Sequence, residues 1–358
     1  MINRESGTFR RTYAEDMALY RAPLARYTMI ALAALGFAVF PWWASDYALN
    51  LANLIAIACL GAIGLNLLTG YCGHISIGHA AFMSVGAYSA AVLSLKFGVP
   101  WWLAMPAAGG MAALVGIVIG IPSLRIKGLY LAISTLAAQL IIEWTINHVS
   151  WISGGTQASL YVTKPRLFGF ELKTNLQMYY FILVVLIAGT VFAMNLLRTE
   201  LGRSFVAVRD RDIAAEIIGV DIFRTKLTAF AISSFYAGIA GVLYTYYYGM
   251  ASYEAFTLNI SIEFLAMIII GGLGSILGSI YGAFFVTLLP IFLERGLQWI
   301  GAGLFGLRNQ NLVATSSSLK VMIFGALIMF FLVVEPDGLN KLWNNVKDYF
   351  KVWPFPYE

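Results

Sequence analysis

The sequence predicts an all-α integral membrane protein, a polytopic bundle of about ten transmembrane segments. Three observations carry this. First, 60% of the 358 residues are hydrophobic, 11% are charged and the mean hydropathy is +0.78, which is too little polar surface to cover a water-soluble globule. Second, apolar runs recur at the roughly 20 residues that a helix needs to cross hydrocarbon, not as the short alternating strands of a barrel. Third, Lys and Arg gather in alternate connections, as the positive-inside rule requires.

In chain order the expected spans are 28–44, 48–69, 75–95, 101–121, 128–146, 179–197, 227–249, 260–272, 276–293 and 319–334. The count is eight to ten, because segment 260–272 covers only about 20 Å as a helix. Gly271, Gly272 and Gly274 follow it directly, so it is expected as a half-helix or re-entrant piece. With the N-terminus cytoplasmic, Arg4, Arg10, Arg11, Arg21, Arg26, Arg125, Lys127, Lys341, Lys347 and Lys351 fall on the cytoplasmic side, together with the basic residues of 198–226. The chain then divides into a cytoplasmic N-terminal segment 1–27, a transmembrane domain 28–334 and a cytoplasmic or interfacial tail 335–358 that is aromatic and basic. Both termini are expected inside, and the net charge of +5 reflects topology, not a nucleic-acid footprint. Residues 1–27 lack a short apolar core with a cleavage site, so the first span is expected to remain as an anchor. Cys59 and Cys72 read as small packing residues. The only histidines are His74, His79 and His148, with no carboxylate at ligand spacing near the first two, so no metal site is expected.

Three stretches stand out. In 70–91, GYCGHISIGHAAFMSVGAYSAA, small residues at three- and four-residue spacing make a face for close helix packing. Ser76 and His79, about one turn apart on the expected helix, are polar groups that face protein or a water-filled path. In 268–283, IIIGGLGSILGSIYGA, glycines 274, 278 and 282 recur once per turn, and Gly271, Gly272 and Gly274 break or bend the helix. No lysine follows these glycines as a phosphate-binding loop would need.

The third stretch, 198–226, concentrates six Lys/Arg and five Asp/Glu between two apolar spans. Asp210 and Asp212 can cap a helix start, Glu216 suits its first turn and Gly219 stops it, giving about two turns. Ile213 and Ile217 share a face beside Ala214 and Ile218, while Arg209, Arg211 and Asp221 flank the ends. An apolar ridge with a charged rim fits a groove on another protein; a helix covering its own bundle is the alternative.

Ala214-Ala215 followed by Gly219 resembles the Ala-Ala-x-x-x-Gly core of the loop through which ABC importer permeases dock on their ATPases, although Ile213 stands where an acidic residue usually opens it and Asp212 comes one place earlier. Together, GYCGHISIGHAAFMSVGAYSA, VRDRDIAAEIIGVDIFRTKLTAFAISSFYAGIAG and IIIGGLGSILGSIYGAFF resemble three signature stretches of the branched-chain amino-acid ABC permeases, in the second of their two types. The resemblance runs from about 51 to 338, with His74 where the family usually has Gln and Ile77 where it usually has Leu. It implies a multi-pass inner-membrane subunit that works with a homologous second permease, two ATPase subunits and a periplasmic binding protein. It implies no cofactor in this chain, ATP and Mg being bound by the partners. The coupling residues it implies are Arg209, Asp212, Ile213, Ala214, Ala215, Ile217, Gly219 and Asp221.

Glu143 and Glu263 are the carboxylates inside the expected spans, and Glu143 continues a polar stripe with Gln139 and Asn147. Ser76, His79, Glu143, Gly271, Gly272 and Gly274 are therefore the residues expected along a translocation path. A permease of urea or short amides fits the same pattern. An ion-coupled carrier fits less well, since His79 is nearly the only deep ionisable group. A membrane-embedded enzyme finds no H-E-x-x-H and no G-x-S-x-G here. A long loop over 147–178, with Trp151, Tyr161, Lys164 and Arg166, is expected on the outer face.

Overall fold

In a computed structural model, residues 40–304 are described apart from 125–128, 155–158, 168–169 and 173, with scattered residues between 322 and 345. The expected first span lies outside the described residues except for its end, α1 (Phe40–Trp43), and most of the expected last span also lies outside them. The main elements are α2 (Asp46–Asn66) running into a π turn (Leu67–Tyr71), α3 (His79–Lys96), α4 (Trp101–Ser123) and α5 (Leu129–His148). A short α6 (Ser150–Ser153) leads into the loop strands. Beyond them come α7 (Asn175–Arg198), α8 (Glu200–Asp210), α9 (Asp212–Ile217), α10 (Ile222–Tyr248), α11 (Leu258–Gly271) and α12 (Ile276–Leu304).

Among the described residues, five segments are long and apolar enough to cross a membrane: Asp46–Tyr71, Trp101–Ser123, Asn175–Arg198, Ile222–Tyr248 and Tyr253–Gly271. The fifth corrects the short-piece expectation in part. A 3-10 turn, Tyr253–Phe256, precedes α11 and lengthens the segment to 19 residues, and α11 then forms a hairpin with α12.

Helix α10, about 40 Å long, is the axis of the bundle and packs along α4, α3 and α2. Lipid tails are as apolar as leucine, so helices associate by close contact of small residues and not by water exclusion. That rule is visible position by position. A Cβ on Gly86 of α3 would collide with the backbone of Gly238 on α10, and one on Gly241 with the Met83 carbonyl. A Cβ on Gly238 would stand 2.6 Å from that of Ala112 on α4. The α11–α12 hairpin uses the same device, with Gly278 packed on the Gly271 carbonyl and Gly282 on that of Met267. Gly274, expected on the α12 face, instead sits in the connecting turn with φ +75, while Gly272 takes φ +123. Away from α10 the helices expose apolar side chains, such as Leu114 and Val118 on α4 and Val184 and Phe192 on α7, as lipid-facing surfaces do.

The expected helix start at 75 is corrected too. After the π turn the chain runs non-helically from 73 to 78, and α3 begins only at His79. Ser76 and His79 therefore do not share a helix. At the opposite end, the long loop is partly strand: β1 (Ser159–Tyr161) pairs antiparallel with β4 (Met250–Ser252), and β2 (Arg166–Leu167) pairs with β3 (Phe170–Glu171). The all-α description thus holds for the membrane body, with small strand pairs on one face. Cys59 and Cys72 are buried free thiols, as packing residues would be.

Gly86→Val should destabilise the protein by about 3 kcal/mol or more by prying α3 from α10. Gly110→Ala, which meets nothing within 4 Å, should be neutral or slightly stabilising. Thermal unfolding of the two variants in one detergent checks the difference.

Candidate functional site

The charged stretch folds as two helices joined by a kink. Helix α8 buries Gly202, Phe205 and Val208 against the bundle, which places Arg209 beside the end of α2. Arg211 is extended at φ −155, ψ 102 and separates α8 from α9. This corrects the capping expectation: Asp210 ends α8 and Asp212 is the first residue of α9, its Oδ1 accepting from the Ile213 amide at 2.9 Å. The expected stop stands. Gly219 takes φ +94, its amide donates to the Glu216 carbonyl at 3.0 Å, and the Val220 amide donates to that of Ala215 at 2.9 Å. Asp221 caps the next helix, accepting from the Arg224 amide at 3.0 Å and pairing with the Arg224 guanidinium at 3.1 Å.

On α9, Ala215 is buried whereas Ile213, Ile217 and Ile218 are 71%, 80% and 75% exposed. Ala214 is exposed beside them. The apolar ridge expected from the sequence therefore faces outward, and Ala215 is the residue that seats α9 on the bundle.

Two glycine-rich turns meet α8 at this end. Arg209 Nη1 donates to the Gly70 carbonyl at 2.8 Å, and its Nε pairs with Asp210 at 3.2 Å. A Cβ on Gly73 would be 3.0 Å from Arg209 Cγ, and one on Gly274 would be 2.8 Å from Nη1. Beneath the guanidinium, buried Asn66 binds the 272–275 turn. Its Oδ1 accepts from the Gly274 amide at 2.9 Å, and Nδ2 reaches the Ser275 carbonyl at 2.8 Å and Ser279 Oγ at 2.7 Å. A cavity of about 310 Å³ opens here, lined by Cys72, His74, Arg209, Arg211, Asp212 and Lys226 among others. His74 is half-buried, and burial, with Lys226 nearby, lowers its pKa from 6.5 to about 4.

Deeper in the bundle, the start of α3 is capped by side chains from two other helices. Thr135 Oγ1 accepts from the Ile77 amide at 3.0 Å, Ser261 Oγ from that of Ala80 at 2.9 Å, and Gln139 Oε1 from that of Ala81 at 2.8 Å. Gln139 Nε2 donates in turn to the Phe256 carbonyl at 2.9 Å. His79 is buried, with its ring 5.2 Å from that of Phe264 and no hydrogen-bond partner at Nε2 among the described residues. Phe264 also presses on Gly61, ten residues before the end of the α2 segment, so this helix start lies about 15 Å inside the bundle.

The residues expected along a path thus separate into groups. Ser76 is buried in the extended run and His79 opens α3, while Gly271, Gly272 and Gly274 form the turn tied to Asn66. Glu143 is half-buried one turn beyond Gln139 on α5. Sequence reasoning passed over Asn66, Thr135 and Ser261. Asn66, alone and polar in a long apolar run, was the legible signal. Among the described residues no group of three or more metal-ligating side chains occurs. A groove of about 520 Å³ between α3, α4 and α5 is apolar and lined by Val85, Tyr88, Met111, Ile141 and Trp151 among others.

A multi-span bundle joined at small residues, with an apolar ridge raised on a charged loop, is the architecture of a multi-pass membrane protein. Residues 47–332 match the family described as branched-chain amino acid transport system, permease component, and the chain belongs to it. It is similar to the high-affinity branched-chain amino acid transport system permease protein LivM of Escherichia coli (strain K12), 30% identical over 334 residues covering 87% of this chain and 74% of that protein. It is also similar to the probable branched-chain amino acid transport permease protein LivH of Methanocaldococcus jannaschii, 28% identical with 83% of this chain and 91% of that protein covered. A shorter likeness, 28% identical over 46% of this chain and 47% of the relative, is to the autoinducer 2 import system permease protein LsrC of Klebsiella pneumoniae. No solved structure matches.

The His74 shift has a definite sign. Above pH 6.5 the ring is neutral whether the chain is folded or not, and its contribution to stability is complete. As pH falls from 6.5 towards 4 the unfolded chain takes up a proton that the folded one refuses, and stability is lost across that window. Between pH 7.5 and 5 the unfolding midpoint in detergent should therefore drop further for the native protein than for His74→Gln. Parallel slopes would contradict this burial of His74.

Proposed function

We propose that this chain moves branched-chain amino acids inward as one of two homologous permease subunits of an importer, powered by two ATP-binding-cassette subunits and fed by a periplasmic binding protein. The charged loop faces the cytoplasm in this reading, both termini lie on that side, and the chain crosses the membrane eight to ten times. ATP and Mg belong to the partners, and this chain supplies the path and the docking surface. Family membership supports the transport class, and the cargo follows the names of the relatives with the longest matches.

One observation carries the docking reading: Ile213 and Ile217 of α9, and Ile218 directly after it, stand open at the polar end of the molecule. Burying a large aliphatic side chain is worth about 1.5–3 kcal/mol, so a partner groove that covers this ridge gains considerably. Arg211, Asp212 and Glu216 surround it and supply the polar rim of such an interface. Ala215 and Phe205 seat the loop on the bundle, so a displaced ridge shifts helices as bodies. Ser76, His79, Glu143 and the turn at Gly271, Gly272 and Gly274 border the path in this account, with the side chains that cap α3 between them.

Replacing Ile217 by Asp should strip the ATPase subunits from the purified complex and reduce uptake about tenfold or more, while leaving insertion of the permease intact. Retention of the ATPases with normal uptake would defeat the docking surface.

A further inference from the structure

We infer that Arg209 is a positioning residue that transmits motion of the charged loop to the α11–α12 hairpin, acting as a strut seated in three glycines. The inference rests on the docking reading of α9 and goes beyond it, because Arg209, 40% exposed, is bonded through Nη1 to the Gly70 carbonyl of the bundle. Its guanidinium donates to the Gly70 carbonyl at 2.8 Å, Gly73 flanks its aliphatic stem, and Gly274 lies under Nη1. Gly73 and Gly274 both take φ +75, which side-chain-bearing residues rarely adopt. A Cβ on Gly70 would collide with Asn66 Oδ1 and the Gly274 amide nitrogen, and one on Gly274 would lie 2.8 Å from Nη1. The seat therefore needs glycine at each of these positions, for conformation, for room or for both.

From Gly70 the connection continues without a gap. Gly70 packs on Asn66, and Asn66 grips the Gly274 amide, the Ser275 carbonyl and Ser279 Oγ. That turn ends α11 and starts α12, whose own glycines 271, 278 and 282 hold the two helices backbone to backbone. Gly338 packs on the Gly272 amide nitrogen from a later part of the chain, so the same turn carries a further segment. A displacement of α8 thus reaches the hairpin through one guanidinium and one carboxamide, both in polar contact with main-chain atoms. Arginine suits the position because its planar fork can pair with Asp210 through Nε while Nη1 holds the carbonyl; a lysine keeps one bond to Gly70 but loses this geometry.

The test uses the complete complex of both permeases, the ATPases and the binding protein, reconstituted in vesicles, with leucine as the transported probe. Two quantities are read: co-purification of the ATPases, and leucine transported per ATP hydrolysed. Arg209→Gln should keep the ATPases and their hydrolysis but lower leucine per ATP about tenfold, and Arg209→Lys should recover part of that loss. A wild-type ratio in Arg209→Gln overturns the strut, and so does loss of the ATPases, which would place Arg209 in docking. If the permease carrying Arg209→Gln fails to fold into the membrane at all, Arg209→Lys decides, since a wild-type ratio there overturns the requirement for the fork. Failure of the docking reading shows separately, as ATPases that remain bound to Ile217→Asp.

Discussion

The structure depends on close helix contact at small residues along α10. In a bilayer, helices gain nothing from leaving lipid for one another unless they come closer than lipid can, and glycine allows that. Gly86 against Gly238, Gly241 against the Met83 carbonyl and Gly64 against Tyr236 bring α2 and α3 onto α10, and Gly109 and Gly116 bring α4. The interfaces are close-fitting rather than broad, so they define discrete arrangements, as a body that changes shape stepwise requires. Two clusters of hydrogen-bonding side chains lie where helices break. Thr135, Gln139 and Ser261 cap the start of α3, and Asn66 holds the turn after α11.

The three stretches that stood apart in the sequence meet in space at the charged end. Gly70 and Gly73 come from the first, Gly274 from the second and Arg209 from the third. The break after α2 and the break after α11 are therefore two sides of one seat for a residue on the loop. The α3 start, about 15 Å deeper, joins that seat through the extended run 73–78. This arrangement accounts for a helix break that costs hydrogen bonds within the membrane: the unwound segment connects a polar surface to the interior.

Much of this was legible. Hydropathy and run length located the body, the charge pattern of 198–226 marked the loop, and the exposed face of Ile213 and Ile217 followed from helical spacing. Gly219 was readable as a stop because a left-handed residue must end such a helix. The misreadings share a cause. Hydropathy does not distinguish an apolar helix from an apolar extended run, so 75–78 looked helical when Thr135 of α5 was accepting from the Ile77 amide. Gly274 fitted a one-face repeat in sequence, although its role is a turn with positive φ. Asp210 and Asp212 looked like caps, but Arg211 breaks the chain between them. Arg209 read as a rim charge because only the fold brings Gly70 beneath it.

The central claim is that this body has no motor of its own and is moved through its charged loop. The most direct test traps nucleotide inside vesicles that carry the assembled complex and follows entry of labelled leucine supplied with its binding protein. Accumulation that requires hydrolysable ATP on the loop side, and that vanishes when the ATPase subunits are left out, is the result the account predicts. Accumulation by the permeases alone under an imposed ion gradient, with no nucleotide present, would contradict it.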